Sequence, residues 1–287
     1  MKGSKQPLWV LDLSWNPNLS GHVPNFSSAT SLETLWIYQT NFSNVIKSSY
    51  FSDFKALTEL GIDGKITSMD FISSFGMLES LTMIRLDSLR QLESLFSWFE
   101  GIKNLRSLVF FDCNLSMTIP SSTRNFKNLT MLESFESNFT TQTLLAVGNI
   151  RSLEVFTIIG CGCLTGQMLS AIGNMINFER LFIAECQLSG PMPHKVGALN
   201  KLKSLVLPSI GLSGRTPSTI ANLTQLTELQ LEGNYFNSMD TLLAHKFTPN
   251  FCKSTYGTVH HPSNTLSIDR TLVANRPDAG TVASDRV

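Results

Sequence analysis

Ten large apolar residues recur at a nearly fixed interval along this chain: Leu11, Leu35, Leu60, Ile84, Leu108, Leu132, Phe156, Leu181, Leu205 and Leu229, 24 residues apart except for two steps of 25. Periodicity of this length marks stacked repeats, because one short unit cannot bury its own apolar edge and must borrow the rest of its core from its neighbours. Within each unit, residues alternate around the recurring apolar position, as in Leu108-Val-Phe110-Phe-Asp. That alternation predicts a short strand with Leu108 and Phe110 inward and the residues between them outward. Stacking such strands gives one parallel sheet, and crossover connections between parallel strands are right-handed in nearly all cases. The expected fold class is therefore α/β, a right-handed solenoid of about ten coils over residues 1–239, with the sheet on its concave face.

Five residues after each recurring position lies a turn site, where a small polar side chain can bond the backbone of the adjacent coil and satisfy amides and carbonyls that a tight turn leaves unpaired. Asn16, Thr40, Cys113, Ser137, Cys161, Cys186 and Asn234 fit that role. Lys65, Leu89 and Ile210 depart from it, so the third and fourth units are expected to be locally irregular. Residues 240–287 lose the period, and from Lys253 the chain is rich in Ser, Thr, Asn, Asp and Pro, a composition that cannot bury enough surface to order itself.

Composition narrows the function classes. Lysine plus arginine and aspartate plus glutamate number 22 each, so no net charge favours nucleic acid as a partner. No apolar run approaches the roughly 20 residues of a membrane helix, and Met1 to Pro7 leads straight into the first repeat without a secretory signal pattern. Protein-kinase motifs, a phosphate-binding loop, Gly-x-Ser-x-Gly and His-Glu-x-x-His do not occur. With the body consumed by repeats, the reading is of a protein that is not an enzyme and needs neither cofactor nor metal. Cys113, Cys161 and Cys186 read as buried turn-site thiols; Cys161 and Cys186 fall in adjacent coils about 4.8 Å apart, which leaves a bridge between them open. His245, Cys252, His260 and His261 have no zinc-site spacing.

After the turn, Leu19-Ser-Gly-His-Val-Pro24, Leu188-Ser-Gly-Pro-Met-Pro193 and Leu212-Ser-Gly-Arg-Thr-Pro217 repeat one theme, followed by Leu115-Ser-Met-Thr-Ile-Pro120. These segments resemble the Leu-Ser-Gly-x-(Ile/Val)-Pro signature of plant extracellular leucine-rich repeats, and their wording is most like the ectodomains of disease-resistance-type receptor-like proteins. The resemblance covers about residues 8–239 but lacks the family's cysteine-paired caps and its membrane helix, as a truncated member would. It implies a non-catalytic recognition module at the cell surface whose partners are a peptide or protein ligand and a partner receptor kinase. The ectodomain of a receptor kinase, the cytosolic sensor repeat of a nucleotide-binding immune protein and a hydrolase inhibitor are the alternatives.

Two sets of side chains carry that expectation. Seven Asn-x-Ser/Thr sites, at Asn18, Asn25, Asn41, Asn114, Asn128, Asn138 and Asn222, are N-glycosylation acceptors if the parent protein is secreted. Strand-outward residues line the concave face without being required by the core. Trp15, Trp36, Tyr38, Phe111, Phe135 and Phe182 are its aromatics, and Asp87, Asp112, Glu136 and Glu185 are acids that would favour cationic groups on a ligand.

Overall fold

The computed structural model describes residues 7–26, 28–43, 54–66, 77–90, 99, 101–115, 126–165, 171–173 and 175–238. The tail expected from residue 240 onward lies outside them, as does the His245/Cys252/His260/His261 set. Ten parallel strands form the sheet: β1 (Val10–Asp12), β3 (Thr34–Trp36), β5 (Glu59–Asp63), β6 (Met83–Asp87), β7 (Ser107–Phe111), β9 (Met131–Phe135), β11 (Val155–Thr165), β12 (Arg180–Pro191), β13 (Ser204–Val206) and β15 (Glu228–Gln230). They pair in chain order, and every recurring position faces its counterpart: Leu11 opposite Leu35, Leu35 opposite Leu60, and so on to Leu205 opposite Leu229. The 24-residue period is thus the height of one coil.

Three apolar rows build the core. The recurring residues, the residues two positions later (Ile37, Ile62, Leu86, Phe110, Ile158, Ile183, Leu207) and those three positions earlier (Leu32, Leu57, Leu81, Leu105, Leu129, Leu153, Phe178, Leu202) are buried in one continuous cluster. In the end coils Leu11, Leu13, Leu229 and Leu231 are only partly buried, since among the described residues each has a paired strand on one side only. Ser134 stands in the second row, opposite Phe110 and Ile158, and its buried hydroxyl has no hydrogen-bond partner.

The third coil is irregular where expected: in place of a polar turn site, Gly64–Ile66 form a 3-10 turn around Lys65. The strands themselves stay in step, β5 and β6 pairing without a register shift from Glu59/Met83 to Asp63/Asp87, and in the fourth coil the turn site is filled by the buried apolar Leu89. The shifts lie elsewhere, between Ile159 and Gly162 and between Gly214 and Arg215. A backbone feature turns the chain: β11 and β12 run on through it, and the other strands end at or before it. Four residues after the recurring position the chain enters the left-handed region in nine of the ten coils: Trp15, Gln39, Ser88, Asp112, Glu136, Gly160, Glu185, Ser209 and Gly233, with φ between 48° and 70°.

The turn-site side chains then bond backward, to the preceding coil. Ser137 Oγ accepts from Cys113 N at 3.0 Å and donates to Phe135 O at 2.8 Å. Asn234 Oδ1 accepts from Ile210 N and Leu212 N, and its Nδ2 donates to Leu207 O at 2.7 Å. Cys161 and Cys186 form a disulfide across adjacent coils, with Cα atoms 5.1 Å apart. Cys113 is a free, buried thiol as expected, donating to Leu86 O.

Past the turn, β2 (Ser20–Gly21) pairs with β4 (Asn41–Phe42), and β8 (Asn114–Leu115) pairs with β10 (Asn138–Phe139). β14 (Leu212–Arg215) pairs with the end of β12 and with β16 (Tyr235–Ser238). Here the Leu-Ser-Gly theme finds its physical reason: Gly21, Gly190 and Gly214 have φ of 101°, 110° and 76°. A Cβ on Gly21 or Gly190 would meet nothing within 4 Å, so conformation and not space selects glycine there. Pro193 and Pro217 then open 3-10 turns at His194–Ala198 and Ser218–Asn222, and Thr140 caps the helix α1 (Thr141–Val147) by accepting from Thr143 N.

Candidate functional site

The outward side chains of the sheet form two different surfaces. Over coils one to five the face is packed against itself. Trp15 meets the edge of Tyr38 and of Phe111 at centroid distances of 6.4 and 6.1 Å, and Trp36 lies 6.3 Å from Tyr38. Tyr38 crosses the sheet because Gly61 leaves room: a Cβ there would sit 2.6 Å from Tyr38 Cδ1. The Arg85 guanidinium lies 4.0 Å over the Tyr38 ring and 5.4 Å from the Phe111 ring.

Two expected contact residues are consequently inaccessible. Tyr38 is 6% exposed and Asp87 is 0% exposed, where the alternation alone would have left both outward and open. Asp87 accepts from Arg85 Nε and Nη2 at 2.8 and 3.1 Å and from Gln39 Nε2 at 3.1 Å. Burial nonetheless pushes its carboxyl above the ordinary aspartate range; the Arg85 and Gln39 hydrogen bonds oppose this and the nearby Asp63 reinforces it. Trp15 and Trp36 keep exposed area on this cluster, Trp15 at 43%.

From coil five onward the face opens. Phe111, Phe135, Ile159 and Ala184 stand opposite one another in successive strands, an apolar line with Phe182 beside it across from Thr157. Phe111, Phe135, Ile159 and Phe182 are half-buried, so their edges remain available. Along the line run the left-handed residues Asp112, Glu136 and Glu185, of which Glu136 and Glu185 are exposed. Alternation placed these acids among the strand residues; on this left-handed ridge Asp112 and Glu136 stand instead just past the ends of β7 and β9, while Glu185 lies within β12. Asp112 pairs with Arg90 at 2.7 Å. At coil seven Gly160 takes the ridge position, and a cleft of about 230 Å³ lies there between Asp112, Glu136 and Arg90.

All seven Asn-x-Ser/Thr asparagines are exposed. Asn114 and Asn138 face each other in β8 and β10, on the flank that follows the turn. Asn128 is on the flank that precedes the strands, where its Nδ2 donates to Lys103 O at 2.8 Å. Among the described residues no three His, Cys, Asp or Glu side chains converge as a ligand set, and no helix is long and apolar enough to cross a membrane.

Neither a protein-family model nor a curated protein matches the chain. Solved structures do. A TDR receptor matches at 24% identity over 80% of this chain and 39% of that one, with a TM-score of 0.58. The fold is the leucine-rich-repeat solenoid. An internalin, InlF of Listeria monocytogenes, aligns with this solenoid at 19% identity over 74% of it and 57% of the internalin, with a TM-score of 0.54. A TLR13–ssRNA13 complex aligns at 16% identity over 81% of the solenoid and 37% of the receptor chain, with a TM-score of 0.61. At these identities the likeness is one of fold, and the solenoid spans less than two thirds of each of these chains.

Proposed function

We propose that this solenoid is a non-catalytic recognition module of a plant extracellular receptor-like protein, serving defence or developmental signalling, and that it takes an extended peptide or a peptide-like segment of a secreted protein on its sheet face. The open apolar line from Phe111 to Ala184 beside Asp112, Glu136 and Glu185 carries this reading. Aromatic edges held by a rigid sheet lose little entropy when they become contacts, and acids beside them orient a cationic side chain more than they add affinity. Four coils at about 4.8 Å span about 14 Å, the length of about four extended residues. The contact set is therefore Phe111, Phe135, Phe182, Asp112, Glu136 and Glu185, with Trp15 and Trp36 at the far edge. Tyr38 and Asp87 serve by holding Phe111 and Arg85 in place.

The Leu-Ser-Gly-x-x-Pro segments, the seven exposed sequons and the Cys161–Cys186 bridge all favour a secreted parent over a cytosolic sensor, since disulfides persist in oxidising compartments. A membrane anchor and a partner kinase would then lie outside this chain. The test is a synthetic array of apolar hexapeptides with and without one lysine, probed with the protein from a secreting host. Binding should favour the lysine-bearing series, and Phe135→Ala should weaken it by about 1 kcal/mol or more. Indifference to Phe135→Ala and Glu136→Gln together would remove the sheet face as the site.

A further inference from the structure

One aromatic contact on the sheet face joins coils that are not neighbours. Trp15 belongs to the left-handed ridge of coil one, yet its indole meets Phe111, four coils further on, in a T-shaped contact at 6.1 Å and 83°. Phe111 is also the first member of the open apolar line that continues through Phe135, Ile159 and Ala184. The head of that line is therefore already occupied by a side chain of the same molecule.

The residues around the indole show what this position accepts. Tyr38 makes a second T-shaped contact with it at 6.4 Å and 85°, and Trp36 lies 6.3 Å from Tyr38. The Arg85 guanidinium, fixed by Asp87, lies over the Tyr38 ring and beside the Phe111 ring. A ring placed here gains edge-to-face contacts that an aliphatic side chain of similar area does not. The surroundings are those of an aromatic subsite.

Trp15 is held less firmly than the wall it covers. Tyr38 and Arg85 are buried, whereas Trp15 is exposed and Leu11 and Leu13 of the same coil are only partly buried. Ridge residues donate their backbone N–H to the following coil, at 2.8 Å from Ser88, 3.0 Å from Asp112, 2.7 Å from Glu136 and 2.8 Å from Ser209, but at 3.3 Å from Trp15. A bulky side chain at φ 57° adds a steric cost of its own. A segment with few buried contacts and a long hydrogen bond opens locally with little loss of free energy.

We infer that Trp15 is an internal occupant of the first subsite of the sheet face, and that a ligand displaces it with an aromatic residue at the end of its extended segment. This rests on the sheet-face reading and narrows it: the peptide carries Phe, Tyr or Trp where it meets Phe111, and its lysine falls one coil on, beside Glu136. Trp15 then yields Phe111 while staying at the edge of the site. An aliphatic residue at that end must remove the indole without restoring the ring contacts it made, so the cover is also a filter. Discrimination comes from the exchange, since a specificity is a difference between two affinities and the indole sets the reference for both.

The test uses the full-length chain with fluorinated tryptophan at its four tryptophan positions, and two lysine-bearing apolar hexapeptides that differ only in carrying phenylalanine or leucine at both ends. Trp15 is identified in the fluorine NMR spectrum as the resonance missing from Trp15→Ser, a substitution the ridge tolerates because Ser88 and Ser209 hold the same position with φ of 52° and 50°. Phe111→Ala should move that resonance in the free protein, and the phenylalanine peptide should shift it on binding. That peptide should bind about fivefold tighter than the leucine one, and Trp15→Ser should tighten the leucine peptide about threefold, narrowing the difference. Trp9→Ala, in the same coil, should change either affinity less than twofold. Peptides that bind and are weakened by Phe135→Ala, but leave the Trp15 resonance in place and bind Trp15→Ser equally, overturn the proposal and keep the sheet face as the site. A Trp15 resonance that Phe111→Ala leaves unmoved overturns it without any ligand. Absence of peptide binding by both the unsubstituted protein and Trp15→Ser ends it together with the sheet-face reading.

Discussion

Two residues show how far single positions depart from the repeat rule. Ser134 occupies a core row otherwise filled by Leu, Ile and Phe, with an unpartnered hydroxyl. A buried polar group without a hydrogen bond costs roughly 1–3 kcal/mol, so Ser134→Ala should raise stability by about 1 kcal/mol, read as a higher urea midpoint at unchanged slope. Asp87 is the charged counterpart. Its carboxyl is held above the unfolded value by burial, so folding favours its protonated form. The stability this contributes is complete below the ordinary aspartate pKa and is lost as pH rises through the raised native value. Asp87→Asn should flatten that part of the pH–stability curve, and a slope that persists unchanged in the variant would assign it to other carboxyls. Sequence reading found the recurring leucines because their constraint is on side-chain type. It could not find Tyr38's burial, which depends on the absence of a Cβ at Gly61 and on Arg85, two coils further along. Nor could it find the left-handed ridge, whose residues, among them Trp15, Ser88 and Glu136, share a backbone angle and no chemistry.

At the scale of the coil, neighbours are joined by sheet hydrogen bonds, by turn-site side chains and, once, by a covalent bridge. Cys161–Cys186 closes a segment of 25 residues between β11 and β12. Cross-linking a loop of that size restricts the unfolded chain by about 2–4 kcal/mol, and Cys161→Ser should lower stability by that order, measured by guanidinium denaturation. Adding a reductant to the unsubstituted protein should reproduce the loss, while leaving Cys161→Ser unaffected. In the sequence these cysteines were indistinguishable from Cys113, which occupies the same turn site. Only the pairing of two cysteines in consecutive coils separates the bridge from the buried thiol, and the repeat period alone left both outcomes open.

For the solenoid as a whole, the main sheet pairs each described strand only with those of the adjacent coils, and stability follows largely from summing neighbours. Amide exchange should reflect this: slowest in β6 to β12, where core rows are buried on both sides, and fastest in β1 and β15, whose Leu11 and Leu229 are half-covered. Uniform exchange across the ten strands, followed by mass spectrometry, would contradict a linear stack. The architecture was legible from the sequence because one translation generates all of it. The division of the face into a closed and an open half was not, because Trp15 and Phe111 meet across coils one and five, beyond any local pattern. One end of the stack has a practical consequence. Among the described residues β1 pairs on one side only, and Leu8, Trp9 and Val10 on or beside it are 48%, 59% and 58% exposed. An apolar strand edge of this kind is a template for the edge of another strand, and a lysine in place of Val10 is the smallest change that would blunt it.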